Sequence, residues 1–230
     1  MKILAIETAT EACSAALLVD NVVISRFQVA PREHGNLILP MVDELLTEAG
    51  LALTELDALA FGRGPGSFTG VRMATGVIQG LAYAAQLPVA AVSTLHALAS
   101  QADFTDEIKT VFVALDARMG EVYWAEYAVV DNKLLLIGNE QVIAPDKITS
   151  KSDNKALAIG HGWSAYKDIL LQQVNGCVEV VCADKLPNAK EVAYLAKRMV
   201  EKGQLVTAEN ALPVYLRDNV AKKKQPKVKQ

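Results

Sequence analysis

The stretch Gly62–Gly80 reads GRGPGSFTGVRMATGVIQG and holds the residue types most able to do chemistry. Gly62, Gly64 and Gly66 can take positive φ, Pro65 fixes one φ, and Ser67 or Thr69 can cap the helix that follows. A glycine loop between an apolar strand and a helix can cradle a phosphate on backbone N–H groups. The same residues also make a tight packing turn, and both readings stay open on residue types alone. The loop is not a P-loop, because GxxxxGK[ST] does not occur. Ser67 does not sit in the GxSxG elbow of hydrolases. His34, His96 and His161 show no i+3 or i+4 pairing, so a histidine metal site is not expected. Cys13, Cys177 and Cys182 form no CxxC pair and read as free thiols, with no base near Cys13 in sequence. No catalytic residue is assigned.

The elements that carry this loop follow from periodicity. Lys2–Glu7 (KILAIE) is an apolar run ending in an acid, and Ser14–Val19 and Val22–Val29 read as two further strands joined at Asp20–Asn21. Leu37–Ala49 has helical spacing with Gly50 as its stop. Leu56–Phe61 is a strand feeding the glycine loop, Thr69–Ala85 a second amphipathic helix, Val89–Val92 a strand, and Leu95–Ala102 a short helix that Ser93 or Thr94 can cap. Gly76 and Gly80 lie inside the second helix, where each glycine costs about 1 kcal/mol relative to alanine, so a closely packed neighbour is expected.

The plan then restarts. Thr110–Asp116 (TVFVALD) is again an apolar run ending in an acid, followed by strands Val122–Val130 and Leu134–Val142. Laying Val113–Glu126 over Leu4–Leu17 places Asp116 on Glu7. After Pro145 regularity falls: Ala156–Gly160 and Val178–Cys182 read as strands, Gly160–Gly162 as a close backbone approach, and Ala189–Lys202 as a helix capped by Asn188. These patterns predict an α/β protein of two duplicated halves, residues 1–105 and 106–230, with a cleft between them. The chain has 230 residues, is 51% hydrophobic and carries net charge −3, which gives no general reason to expect nucleic-acid binding. Lys222, Lys223, Lys224, Lys227 and Lys229 make a basic tail, expected to be solvated, with nucleic-acid contact the sharper alternative. No apolar run reaches spanning length and no signal-peptide pattern opens the chain, so a cytoplasmic location is expected.

Three stretches resemble one family. Ile3–Leu17 (ILAIETATEACSAAL), Gly64–Arg72 (GPGSFTGVR) and Pro213–Arg217 (PVYLR) are similar to bacterial TsaB proteins, also called YeaZ, with GPGSFTGVR the most specific. The resemblance implies an actin-like ATPase-domain fold (the ASKHA, ribonuclease H-like class). It implies a non-catalytic subunit needed for threonylcarbamoyl transfer to adenosine 37 of tRNAs reading codons that begin with A. The implied partners are TsaD, a catalytic paralogue, and TsaE, an ATPase, with a homodimer when the chain is alone and tRNA met only through the complex.

The resemblance also implies what each site residue should do. In the actin-like fold the first strand's acid and the next turn hold metal and phosphate, which points to Glu7, Asp116 and Gly160 as remnants of a nucleotide site. The turn Thr8–Cys13 (TATEAC) holds neither a basic residue nor a glycine, so no intrinsic cofactor is expected and ATP or ADP only within the complex. The metal-binding HxxxH of the catalytic paralogue falls on Thr94 and Leu98 here, and neither can replace an imidazole ligand. The partner contact is implied on the two helices of the first half, at Leu37, Met41, Leu45, Arg72, Met73, Gly76, Gly80 and Tyr83. The competing reading is a small actin-like ATPase or kinase binding Mg-ATP between the halves.

Overall fold

The computed structural model describes residues 1–103, 105–150 and 152–217. The lysine tail therefore lies outside the described residues. Strands β1 (Lys2–Glu7), β2 (Ala12–Val19), β3 (Val22–Val29), β4 (Ala58–Gly62) and β5 (Val89–Val92) form one sheet in the order β3-β2-β1-β4-β5. Strands β6 (Thr110–Arg118), β7 (Glu121–Val130), β8 (Lys133–Ile143), β9 (Ala156–Ile159) and β10 (Val178–Cys182) form the other, ordered β10-β9-β6-β7-β8. Each sheet has its first strand in the middle, antiparallel to the second and parallel to the fourth. The same topology occurs twice, which is the duplicated actin-like arrangement.

Strand alternation sends side chains to opposite faces. In β1, Leu4 and Ile6 face α1 (His34–Ala49) and α2 (Phe68–Ala85), meeting Ile38, Leu45, Ala74 and Ile78. Ile3 and Ala5 face the other way, onto α5 (Ala189–Glu201). In the second sheet Val111 and Val113 meet α3 (Thr94–Ala99), while Phe112 and Ala114 meet α4 (Gly162–Gln173). The caps follow the sequence: Ser67 accepts from Gly70 N, Ser93 from His96 N and Asn188 from Lys190 N, while Gly50 ends α1 in the left-handed conformation.

Two helices change sides. α3 follows the first sheet in sequence but packs on the second, and α5 follows the second sheet but packs on the first. The expected division at residues 105/106 therefore needs correction: the first lobe takes back Ala189–Glu201 and the segment after it. The driving force is burial, since Val192, Ala193 and Ala196 find their apolar partners among Ile3, Ala5 and Ala60. Ser14 Oγ, accepting from Ala189 N at 2.9 Å, fixes where α5 enters.

The remaining segment returns to the cleft as a strap. Val206 bridges Val89, Gln79 donates to Ala211 O, and Val214 N donates to Arg63 O at 2.8 Å. The strap ends on the second lobe, where Arg217 Nη1 donates to Ala117 O at 3.0 Å and Nη2 to Arg118 O at 3.3 Å.

Candidate functional site

Glu7 closes β1 with its side chain entirely buried. Its carboxylate accepts from Ala9 N at 2.7 Å and from Thr94 Oγ1 at 3.0 Å, and Thr94 Oγ1 accepts from Gly64 N at 3.2 Å. Burial pushes the Glu7 carboxyl up to about 7, against the lowering effect of these donors. The glycine loop is fitted around this junction. A Cβ on Gly62 would overlap the Glu7 carboxylate, one on Gly70 would overlap Thr8 O, and one on Gly66 would stand 2.5 Å from Ala9 O. These glycines therefore serve close backbone packing.

Asp116 is placed differently. It lines the cleft with 22% of its side chain exposed, and its carboxylate accepts from Arg118 N at 2.9 Å and pairs with Arg118 Nη1 at 3.4 Å. Glu7 lies beneath the cleft wall and Asp116 on its surface, so the two strand-end acids do not face one another as a pair. Gly160 has φ 104° and its Cβ would overlap Ala114 O, while a Cβ on Gly162 would stand 2.9 Å from that oxygen. The close approach expected there is present, and it is strand β6 that comes near.

The cleft between the lobes has a volume of about 470 Å³. One wall carries Thr10, Glu11 and the start of α2, the other Asp116, Tyr123 and His161, and the strap closes one side through Val214–Arg217. Tyr123 Oη donates to Gly66 O at 3.3 Å across the lobes, and His161 Nε2 lies 3.6 Å from Glu11 Oε2. His161 Nδ1 accepts from Asp116 N at 3.1 Å, which places the neutral ring's proton on Nε2, facing Glu11. Burial moves the His161 pKa below its ordinary value, with Glu11 and Asp116 acting the other way.

The residues at the positions where the catalytic paralogue is expected to carry its histidines fit a metal poorly. Thr94 Oγ1 is buried and already bonded to Glu7 and Gly64, and Leu98 is packed in the apolar core of the second lobe. His96, between them, stacks on Tyr127 with ring centroids 5.2 Å apart, and burial pushes it down to about 4, with Arg198's charge adding. Among the described residues no group of three or more His, Cys, Asp or Glu side chains stands together.

The two first-lobe helices divide the expected contact residues. Leu45 and Met41 are buried in the lobe's own core, and Leu37 packs half-buried on the same cluster. Met41 and Leu45 are therefore corrected from surface to core positions, because the apolar stripe of α1 turns inward onto β1 and β2, while Leu37 keeps part of its side chain exposed. Met73 is half-buried and lies beside Gly35. Arg72, Gly76, Gly80 and Tyr83 are exposed, and nothing lies within 4 Å of a Cβ on Gly76 or Gly80. The close neighbour expected over these two glycines is thus not supplied by this chain's described residues.

Sequence reasoning missed the cluster joining this face to the strap. Arg72 Nε donates to Tyr215 Oη at 2.8 Å, and the guanidinium carbon lies 3.5 Å from the centroid of the Phe68 ring. Phe68 and Arg72 of GPGSFTGVR meet Tyr215 of PVYLR here.

A family model described as TsaD, tRNA N6-adenosine threonylcarbamoyltransferase, matches residues 18–225. The tRNA threonylcarbamoyladenosine biosynthesis protein TsaB of Escherichia coli K12 is 46% identical over 98% of this chain and 99% of its own length. The chain belongs to the TsaB family. The Haemophilus influenzae TsaB is 40% identical over 98% of each chain, and the Bacillus subtilis TsaB 30% over 94% of each. A solved structure described as YeaZ from Pseudomonas aeruginosa superposes with a TM-score of 0.86 at 45% identity, over 94% of this chain and 99% of that one. Within this TsaB family frame, the exposed α2 face and the interlobe cleft are the two candidate functional surfaces.

Proposed function

We propose that this protein takes part in threonylcarbamoyladenosine synthesis on tRNA as a non-catalytic subunit. It docks TsaD through the exposed face of α2 and helps assemble TsaE, and without TsaD the same face forms a homodimer. The observation that carries this reading is the pair Thr94 and Leu98, a bonded hydroxyl and a core alkyl group at the positions where a catalytic relative is expected to hold histidines. Full-length similarity to proteins named for this biosynthesis supports the pathway. Any ATP or ADP belongs to the assembled complex, tRNA is met through it, and the setting is the cytoplasm. Reconstitution tests the role: transfer to tRNA is expected to fail when this chain is left out of a mixture of TsaD and TsaE, and unchanged transfer would refute it.

The cleft favours a second reading, a small ATPase or kinase, because Arg32, Arg118 and Arg217 line a space of about 470 Å³. Calorimetry on the isolated protein separates the two. Micromolar, Mg-dependent ATP binding that is lost in Asp116→Ala would favour the enzyme.

A further inference from the structure

The exposed face of α2 carries a single charge. Across Phe68–Ala85 (FTGVRMATGVIQGLAYAA) there is no Asp, Glu or Lys, and Arg72 is the one ionised side chain. Gly76 and Gly80 follow Arg72 at steps of four along this face, and Tyr83 beyond them is 74% exposed. The acids of α1 do not neutralise Arg72: Glu44 and Glu48 are held by Arg26 at 3.0 and 2.5 Å, and neither they nor Asp43 pair with Arg72, which forms no ion pair within the described residues.

The guanidinium is held in place. Tyr215 takes Nε, Phe68 lies under the plane 3.5 Å away, and the Tyr215 ring centroid is 5.4 Å from the guanidinium carbon. Phe68 and Tyr215 themselves stand 5.7 Å apart. Both Nη groups are left without a hydrogen-bond partner among the described residues. A planar fork fixed by stacking loses little freedom on binding and matches a carboxylate in bidentate fashion. A partner that covers this otherwise neutral face must pair the charge, because a guanidinium buried alone is strongly unfavourable.

We infer that Arg72 is the recognition anchor of the docking face and takes an Asp or Glu carboxylate of the partner subunit through its two Nη groups. Small residues of the partner lie beside it over Gly76 and Gly80. This inference rests on the docking reading above and adds the chemistry the partner must present.

The test is a binding titration of the full chain against purified TsaD, without nucleotide, at low and physiological salt. Wild type is expected to bind, with affinity falling as salt rises. Arg72→Met is expected to stay folded, with the melting temperature lowered only by the loss of the Tyr215 bond and the ring stacking, to weaken Kd at least tenfold and to flatten the salt dependence. Arg72→Lys keeps the charge but not the fork and is expected to recover only part of the affinity. Arg72→Glu is expected to abolish binding and to be rescued by lysine at the partner's acid. Wild-type binding with an unchanged Arg72→Met would overturn the inference and leave the docking reading standing. An effect of Arg72→Met seen only when ATP or ADP is present would also overturn it, since the oxyanion would then be a phosphate. Failure of wild type to bind at all would sink the docking reading and the inference together.

Discussion

Gly62 and Glu7 occupy one space: a Cβ added to Gly62 would overlap both carboxylate oxygens of the Glu7 side chain. The glycine at the end of β4 is therefore the complement of the acid at the end of β1, and Thr94 of α3 completes the contact from the far side of the loop. Three segments of the first half converge on one buried carboxylate. Gly62→Ala is expected to destabilise the protein by on the order of 2–4 kcal/mol, because the clash meets a fully buried group with nowhere to move. Chemical denaturation would check this, and a loss under about 0.5 kcal/mol would show that the junction yields. The double variant Gly62→Ala/Glu7→Ala should recover part of the loss.

Glu7 also sets a pH dependence. Its carboxyl sits at about 7 in the fold against an ordinary value of 4.5, so the folded state binds the proton more tightly than the unfolded chain does. Stability from this group is full below the unfolded value and is lost as pH rises through the folded one. The gap corresponds to about 3 kcal/mol between roughly pH 4.5 and pH 7. Glu7→Gln is expected to flatten the decline of melting temperature across that window and to be more stable than wild type near pH 8. Parallel curves for the two proteins would mean that the carboxyl titrates normally.

Local signals account for what the sequence could reveal. The strand, acid, turn and strand order of β1–β3 and β6–β8 is short-range, and so are the caps at Ser67, Ser93 and Asn188. α4 escaped because only Gly162, Trp163 and Leu170 of its residues are fully buried and Tyr166 breaks its geometry at φ −134°, ψ 27°. The exchange of α3 and α5 between lobes depends on which sheet offers matching apolar surface, which no local pattern encodes. The same is true of Arg72 and Tyr215, which lie 143 residues apart in sequence. Periodicity identified the apolar stripe of α1 but not how deep it sinks, so Met41 and Leu45 looked available when they are core.

That distinction separates two glutamate substitutions. Met41→Glu places an ionisable group in the packed core between α1, α2 and the first sheet, and is expected to lower stability by about 3 kcal/mol or more. Tyr83→Glu changes a side chain that is 74% exposed and is expected to leave the melting temperature within about 2 °C of wild type. If the α2 face docks the partner, only Tyr83→Glu gives a folded protein that fails to co-purify with TsaD. A stable Met41→Glu would contradict the observed burial.

Arg217 is where the strap fastens to the second lobe. It bonds the carbonyls of Ala117 and Arg118 and pairs with Glu121 at 2.5 Å. Met119 and Gly120, at φ 60° and 78°, make a two-residue hairpin turn of the kind also seen at Asp20–Asn21 and Asp131–Asn132, and Arg118 before them takes positive φ as well, at 62°. Arg118 and Met119 are non-glycine residues in a conformation they rarely adopt, so the turn needs support from outside itself. Arg217→Ala is expected to cost about 2 kcal/mol, from charge-assisted bonds to carbonyls that are then left to water. Hydrogen exchange should quicken at Arg118–Glu121 and at Val214, whose N–H bonds Arg63 O, while the amides of β1 keep their protection. Arg217→Lys can reach one carbonyl but not grip both, so it should fall between wild type and alanine. Unchanged exchange at Arg118–Glu121 in Arg217→Ala would show that the β6–β7 turn holds its shape alone and that the strap does not fasten the lobes.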